Sequence, residues 1–329
     1  MLGTVKQNIA RAAITIVMMG ATAGWAQDKY PNKTVEIVVP WTAGQATDIA
    51  ARAIANELSE KLGQTFFISN KAGAGGAVGS AYVARAKNDG YTLLAGSTGS
   101  VVISPLLNDT PYEASDFVPA AMIAKSPSVL VTAADFPAKN INELIKVLKE
   151  NPGKYTFASS GNGSATHLMA EAFNLGNGIE AVHVPYKGSS TALTDVQSGR
   201  VTYMFDTVAS IAGILKSNQV TAYGISSKER SASLPEVPPI AEVTELKDFD
   251  IASWIGLMAP KETSAQDLAA IEKVVQDYLQ TPEAKSRYQG MGLGVDPISN
   301  SEFQKVVDAE VTLYSDLLNK LGLTKEHSK

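Results

Sequence analysis

Two loops of small residues have the composition of a site that binds an anion without a charged side chain. The first is residues 41–47 (WTAGQAT) and the second is residues 159–165 (SSGNGSA). Each follows a predicted strand and leads into a predicted helix, whose first backbone N–H groups have no partner within the helix. A helix start also carries about half a unit of positive charge, so such loops can bind a carboxylate or a phosphate. The alternative for the first loop is an ordinary turn between a strand and a helix.

Three residues near these loops have side chains that could take part. Asp48 falls in the first turn of the helix after the first loop, where an aspartate stabilises the helix start and caps free N–H groups. Contact with a bound anion would cost charge repulsion, so we favour a structural role for Asp48. Asp206 ends a predicted strand, at the edge where open α/β sheets bind ligands, and could orient a water or bind a hydroxyl or amine. Trp41 is either a core residue or a wall of the pocket.

Other kinds of site find little support in the sequence. Ser164 and His167 lie three residues apart at a helix start, and with Asp206 they could form a hydrolytic triad. The nucleophile motif G-x-S-x-G is absent, so we favour a capping serine and a packed histidine. No histidine pair has metal-ligand spacing on a helix, and residues 73–79 (GAGGAVG) do not match G-x-G-x-x-G. We therefore expect no cofactor and no metal.

The elements around the loops predict an α/β fold. Residues 35–39 (VEIVV) are typical of a strand that is buried on both faces of a parallel sheet. Pro40 ends this strand, and apolar residues at helical spacing follow after the first loop. Strands alternate with helices from there on, which favours a parallel sheet covered on both faces. Further strands are predicted at residues 65–68, 92–95, 155–158, 181–184, 201–205, 220–225 and 255–260, and closing helices at residues 265–279, 282–289 and 301–321.

Composition and the N-terminus indicate an exported protein. The chain has 329 residues, and its first 26 combine two positive charges, an apolar run and small residues before Gln27. This pattern predicts a signal peptide that is cleaved near Ala26; an uncleaved membrane anchor is the alternative. Without Lys6 and Arg11 the chain has 26 positive and 33 negative residues, which argues against a nucleic-acid partner. The chain has no cysteine, which excludes disulfides and thiolate metal sites.

Eight sequence blocks, taken together and in order, resemble the substrate-binding proteins of tripartite tricarboxylate transporters, the Bug family. The resemblance extends from Tyr30 to about Gly322. Each block alone is weak, whereas eight in order are specific. The blocks are residues 37–48 (IVVPWTAGQATD), 70–79 (NKAGAGGAVG), 89–96 (DGYTLLAG), 159–168 (SSGNGSATHL), 183–188 (HVPYKG), 204–206 (MFD), 234–239 (LPEVPP) and 254–260 (WIGLMAP).

The resemblance implies a periplasmic binding protein-like fold, in which two α/β domains enclose a ligand cleft. Domain 1 would comprise residues 27–127 and 252–329, and domain 2 residues 128–251, after a signal peptide of residues 1–26. A small organic carboxylate would be held between the two loops, largely by backbone amides, small hydroxyls and ordered water. The protein would be a periplasmic monomer that delivers this ligand to integral membrane transporter subunits, with no enzymatic activity.

The predicted ligand-binding residues come from the two loops and from neighbouring strand ends. They are Trp41, Thr42, Ala43, Gly44, Gln45, Ala46, Ser97, Ser160, Gly161, Asn162, Ser164, Ala165, Tyr186 and Asp206. The chain departs from the family at Gln45, where a second glycine is usual, so this amide could reach the distal end of the ligand or narrow the pocket. Two alternatives stay open: an exported hydrolase that uses Ser164, His167 and Asp206, and a subunit that presents bound ligand to a membrane sensor kinase.

Overall fold

Two five-stranded sheets organise the chain in the computed structural model, which describes residues 30–186 and 188–323. The predicted signal peptide, residues 1–26, lies outside the described residues. The described residues from Lys33 onward form one compact unit. None of the described helices is both long and apolar enough to cross a membrane.

The first sheet has the strand order β2-β1-β3-β10-β4. Its strands are β1 (Val35–Val39), β2 (Phe66–Asn70), β3 (Thr92–Ser97), β4 (Phe117–Ser126) and β10 (Ser253–Pro260). The second sheet has the order β7-β6-β8-β5-β9. Its strands are β5 (Ser128–Ala133), β6 (Thr156–Ser159), β7 (Val182–Pro185), β8 (Tyr203–Thr207) and β9 (Val220–Ile225).

Helices connect the strands and cover the sheets. They are α1 (Ala46–Leu62), α2 (Ala77–Ala84), α3 (Ser104–Leu107), α4 (Ile141–Lys149), α5 (Ala165–Asn177), α6 (Ser189–Gln197), α7 (Val208–Leu215), α8 (Ile240–Val243), α9 (Ala265–Leu279), α10 (Pro282–Gly290) and α11 (Asn300–Leu321). The segment Thr98–Ile103 after β3 is a π-helical turn, and Ala74–Gly76 and Ala114–Asp116 are 3-10 turns. The predicted helix after the first loop is confirmed as α1, which ends at Gly63 in the left-handed conformation that favours glycine.

The prediction of parallel sheets is correct for only part of each sheet. β1 pairs in parallel with β2 and β3, and β6 pairs in parallel with β7 and β8. β10 is antiparallel to β3 and β4, and β5 is antiparallel to β8 and β9. β4 and β5 belong to different sheets, and only Pro127 separates them in the chain. The chain therefore enters the second sheet directly at Pro127.

The core extends across both sheets. Val38 and Leu94 from the first sheet belong to the same cluster of buried apolar side chains as Leu130 from the second. Val129 and Val131, the neighbours of Leu130 on β5, point to the opposite face and join a separate cluster there. This alternation follows from strand geometry, so the second sheet is covered on both faces.

Candidate functional site

The two glycine loops, which belong to different sheets, line one cavity of about 1480 Å³. The first loop connects β1 to α1, and the second connects β6 to α5. Ten of the fourteen predicted ligand-binding residues line this cavity: Trp41, Gly44, Gln45, Ala46, Ser97, Ser160, Gly161, Asn162, Ser164 and Ala165. Their binding role stays a prediction, but the structure brings them together. We call this cavity the cleft.

Asp48 fixes the shape of the first loop. Asp48 is 2% exposed, and its carboxylate accepts hydrogen bonds from the Gly44 backbone N–H at 2.9 Å and from Asn70 Nδ2 at 2.8 Å. Arg52, one helical turn later, donates two more, at 2.9 and 3.0 Å. Burial alone would raise the pKa of Asp48, but these hydrogen bonds lower it below its usual value. Asp48 does not line the cleft, which supports the structural role favoured from the sequence.

The first turn of α1 leaves backbone donors free at the cleft. Ile49 is the first residue whose N–H bonds within the helix, to the Gln45 carbonyl at 3.0 Å. The N–H groups of Ala46 and Thr47 have no hydrogen-bond partner among the described residues, and both residues line the cleft. Gln45, at the N-cap position, does not cap the helix with its side chain. The Gln45 side-chain amide is therefore available at the cleft, next to the free N–H groups of Ala46 and Thr47.

The second loop is stabilised by its own hydrogen bonds. Ser164 is the N-cap of α5, and its Oγ accepts the His167 backbone N–H at 3.2 Å. The N–H of Gly161 donates to Ser159 Oγ at 3.1 Å, and the N–H of Gly163 donates to His167 Nδ1 at 3.0 Å. The N–H groups of these two glycines therefore bond to side chains of the loop and of α5 rather than staying free at the cleft.

The donors that stay free lie at the start of α5 and beside it. The N–H groups of Asn162, Ala165 and Thr166 have no hydrogen-bond partner within residues 30–186 and 188–323. Asn162 and Ala165 line the cleft. The second loop thus resembles the first: a long helix begins at the cleft and leaves its first N–H groups unpaired.

A stack of two histidines forms part of the cleft wall and was missed from the sequence. The rings of His167 and His183 are 3.8 Å apart and nearly parallel, and Ser159 Oγ lies 2.6 Å from His183 Nε2. Burial and then the neighbouring His167 lower the pKa of His183 to about 4. Glu171 Oε1 lies 3.6 Å from His167 Nε2. The spacing of four residues places Glu171 and His167 on one helix face, a signal that the sequence did offer.

The hydrolytic triad does not assemble. Ser164 Oγ contacts Thr166 Oγ1 at 3.1 Å and caps the backbone, and no contact joins it to a histidine ring among the described residues. The His167 ring faces Gly163 and Glu171 rather than Asp206. The contacts therefore correspond to the capping serine and packed histidine favoured from the sequence.

Four predicted site residues are not part of the cleft lining: Thr42, Ala43, Tyr186 and Asp206. The Tyr186 hydroxyl donates to Asp195 Oδ2 at 2.7 Å instead. Asp206 is 1% exposed, and its Oδ1 accepts the Thr207 N–H at 2.7 Å, while Oδ2 has no hydrogen-bond partner among the described residues. Burial raises the pKa of Asp206, and the Thr207 N–H, followed by the nearby Ser189 and Ser210, offsets part of that rise. These two serines line the cleft, so Asp206 lies beneath its wall.

The described part of the cleft lining contains neither lysine nor arginine, and Glu171 is its one aspartate or glutamate. Lys187, in the predicted family block 183–188, lies outside the described residues. Trp254 and Ile255 at the start of β10 also line the cleft, and the sequence-based site prediction omitted them although they lie in the last family block. Polar character in the described lining thus comes mainly from backbone groups, hydroxyls and amides.

Comparison with known proteins places this arrangement in a family. Residues 50–323 match the model of the family described as Tripartite tricarboxylate transporter family receptor. The chain is similar to Protein BugT of Bordetella pertussis (strain Tohama I), with 33% identity over 292 residues, 87% of this chain and 89% of that protein.

Two solved structures are similar in fold and sequence. R. palustris Rpa4515 with adipate has a TM-score of 0.76 and 30% identity, covering 90% of this chain and 99% of that chain. MatC (Rpa3494) from Rhodopseudomonas palustris with bound malate has a TM-score of 0.72 and 29% identity, covering 88% of this chain and 100% of that chain. These matches confirm the periplasmic binding protein-like fold and the resemblance found in the sequence, and the chain belongs to the tripartite tricarboxylate transporter receptor family.

Proposed function

We propose that this protein is a periplasmic solute-binding protein that captures a small organic carboxylate in the cleft and delivers it to integral membrane transporter subunits. The observation that carries the proposal is the convergence of two helix starts, α1 and α5, on one cavity. The solved relatives with adipate and malate support a carboxylate as the ligand.

The physical basis of binding is the unpaired backbone donors. Ala46 and Thr47 on one side and Asn162 and Ala165 on the other are held in place by their helices and loops. Each hydrogen bond to a charged group contributes about 1.5–3 kcal/mol, and the two helix dipoles add a favourable field. The ligand thus binds as a carboxylate without needing a lysine or arginine contact.

The proposed movement is closure of two domains on the ligand. Domain 1 comprises residues 27–127 and 252–329 and carries the first loop, and domain 2 comprises residues 128–251 and carries the second. A side chain at Gly163 in the second loop would overlap Leu107 of α3, so the two walls already pack against each other there. Only the closed form offers donors from both helices to one carboxylate, and ligand therefore favours closure.

A calorimetric screen of the purified chain tests carboxylate binding. The panel contains adipate, malate, an aromatic carboxylate and an amino acid, with uncharged amides of the same acids as controls. We expect saturable binding of at least one acid at micromolar affinity or better and none of its amide. Small-angle scattering should show a smaller radius of gyration in the complex. A panel without any saturable binder would overturn the proposal.

Two glycine variants test the proposed mechanism. Gly44 has a φ of +87°, and no atom lies within 4 Å of a side chain built there. Gly153 has a φ of +70° and equally open surroundings, but it lies away from the cleft. Both Gly44→Val and Gly153→Val incur backbone strain, yet only Gly44→Val should abolish ligand binding. Equal binding by the two variants would contradict the two-loop mechanism.

Delivery to a transporter, rather than hydrolysis or signalling, is part of the proposal. A pull-down from host membranes with ligand-loaded protein should recover transporter subunits, and recovery of a sensor kinase instead would favour the presenting subunit. Turnover of a carboxylate ester would contradict a purely binding role.

N-terminal sequencing of the exported protein tests cleavage near Ala26, and scattering tests the monomeric state.

A further inference from the structure

Helix α11 packs behind the wall of the cleft, and its residue Glu310 hydrogen-bonds to that wall. The Glu310 carboxyl accepts a hydrogen bond from Trp254 Nε1 at 2.7 Å and one from Thr98 Oγ1 at 3.3 Å. Thr98 Oγ1 in turn accepts the Trp254 backbone N–H at 3.1 Å. These three hydrogen bonds form a closed ring, which joins α11 to the start of β10 and to the end of β3.

The groups that Glu310 contacts belong to the cleft. Trp254 lines it, and Thr98 lies between Ser97 and Gly99, which also line it. Phe303 lies seven residues before Glu310, hence on the same face of α11. Its ring meets the Trp254 ring edge-on, with centroids 4.9 Å apart. Helix α11 therefore positions the Trp254 ring by one apolar contact and one polar contact.

Glu310 itself has no part in the proposed anion site. It does not line the cleft. Its side chain is half-buried, and a carboxyl group that loses contact with water needs hydrogen bonds to compensate. Its hydrogen bonds go to two groups that shape the cleft. We propose that Glu310 is a positioning residue, whose carboxyl group fixes the Trp254 indole and residues 97–99 and thereby sets the affinity for ligand.

Protonation of Glu310 should control this contact. Burial raises the pKa of Glu310 to about 8, and the hydrogen bonds from Trp254 and Thr98 offset only part of that rise. Neither of these partners titrates, and burial, followed by the nearby Glu310, raises the pKa of Tyr314 on the same helix well above its usual value. Glu310 is thus mainly neutral at pH 7 and ionises as the pH rises through about 8. The new charge behind the cleft would disfavour an anionic ligand.

Tryptophan emission tests the positioning role directly. Only Trp41 and Trp254 follow residue 26, so a Trp41→Phe background leaves Trp254 as the single reporter in the mature chain. We expect its emission to change near pH 8 and this change to disappear with Glu310→Gln, which keeps an acceptor but cannot ionise. Asp308→Asn is the matched control, because Asp308 is an exposed acid on the same helix. With Asp308→Asn the transition should persist.

Ligand affinity, with Trp41 intact, is the second readout and rests on the proposed function. Adipate and malate serve as probes in calorimetry. Glu310→Ala should bind about tenfold more weakly, as expected for one lost hydrogen bond near the site. Glu310→Gln should keep its pH 7 affinity and lose the decline above pH 8.

Two results would overturn the inference. One is an emission transition that persists in Glu310→Gln, and the other is unchanged affinity and unchanged emission in Glu310→Ala. The emission experiment needs no ligand. If neither acid binds any variant, a transition that depends on Glu310 still supports the positioning role, and only the proposed function fails.

Discussion

Replacement of Asp48 by asparagine tests how the first loop is held. The carboxylate receives four hydrogen bonds, one from Gly44, one from Asn70 and two from Arg52, at distances between 2.8 and 3.0 Å. Asparagine keeps one acceptor oxygen but presents an NH₂ group to donors on the other side. The loop would lose either its link from Gly44 or its link from Asn70 to α1, although the helix itself would remain.

The expected loss of stability is about 2–3 kcal/mol at pH 7. Hydrogen bonds to a charged acceptor contribute about 1.5–3 kcal/mol each. Gly44 and Asn70 donate to different oxygens of Asp48, so asparagine loses one of these two hydrogen bonds. Arg52 adds little, because its side chain is half exposed and solvent screens its charge. Adipate affinity should fall about tenfold or more, since the free N–H groups after Gly44 are no longer held in place.

The pH dependence of the free energy of unfolding is a second test of the role of the Asp48 carboxylate. The pKa of Asp48 is lowered in the folded protein, so its stabilisation is fully present above the ordinary value of 3.8 and disappears as the pH falls through the folded value. Urea denaturation should therefore show a large stability difference between wild type and Asp48→Asn at pH 7, and a difference that shrinks as the pH falls below 3.8 and through the folded pKa of Asp48.

Asp135→Asn is the matched control for this prediction. Asp135 is exposed, and its side chain has no hydrogen bond or ion pair among the described residues, so its replacement should change the free energy of unfolding by less than about 0.5 kcal/mol. If Asp48→Asn is as stable as this control, or binds adipate as tightly as wild type, the carboxylate does not organise the loop.

Four further variants extend these tests. Gln45→Gly should keep thermal stability within about 0.5 kcal/mol while changing the order of preference in the carboxylate panel, and an unchanged order would show that Gln45 does not contact the ligand. Ser164→Ala removes the N-cap of α5, and calorimetry should show binding about tenfold weaker with stability lower by about 1 kcal/mol. Gly163→Ala should clash with Leu107 and leave the complex with a larger radius of gyration than wild type in scattering. His183→Gln should remove a stability loss that urea denaturation detects between pH 6.5 and about 4, because the folded pKa of His183 lies near 4 and the unfolded chain takes up the proton first.

The strand-loop-helix units were predictable because each depends on local chemistry. The β-branched run before Pro40 and the apolar spacing after it define β1 and α1 without reference to the rest of the chain. The same holds for the second loop and α5. Each loop is therefore recognisable from the sequence as a candidate anion site, whereas their meeting in one cleft depends on how the two sheets pack.

Pairing direction was not predictable in the same way. The alternation of strands and helices indicates parallel strands. However, β5, with which the chain enters the second sheet, and β10, with which it returns to the first, pair antiparallel to their neighbours. Their sequences are apolar, as those of parallel core strands are. Direction depends on which strands the fold places side by side, and both partners of each of these strands are distant from it in the chain.

Side-chain roles at the site were harder to predict than its location, because hydrogen bonds within the loops compete with the ligand for the same donors. Glycine loops suggest free N–H groups, but the N–H groups of Gly44, Gly161 and Gly163 bond to Asp48, Ser159 and His167. Which donors stay free therefore depends on contacts between residues that are distant in sequence. Asn70, for example, donates a hydrogen bond to Asp48, which lies 22 residues before it.

This competition bears on how the proposed site would distinguish ligands. Donors fixed by a backbone network recognise any carboxylate at one end, because their geometry does not change with the acid. Discrimination then depends on side chains that lie outside that network. Gln45 is such a residue, since its amide lines the cleft without capping α1. Trp254 is a second such residue, because it lines the cleft and donates to Glu310, the proposed positioning residue behind the cleft wall. Under the proposed function, changes at these two positions should alter which acid is preferred, while changes at Asp48 should weaken binding of every acid alike.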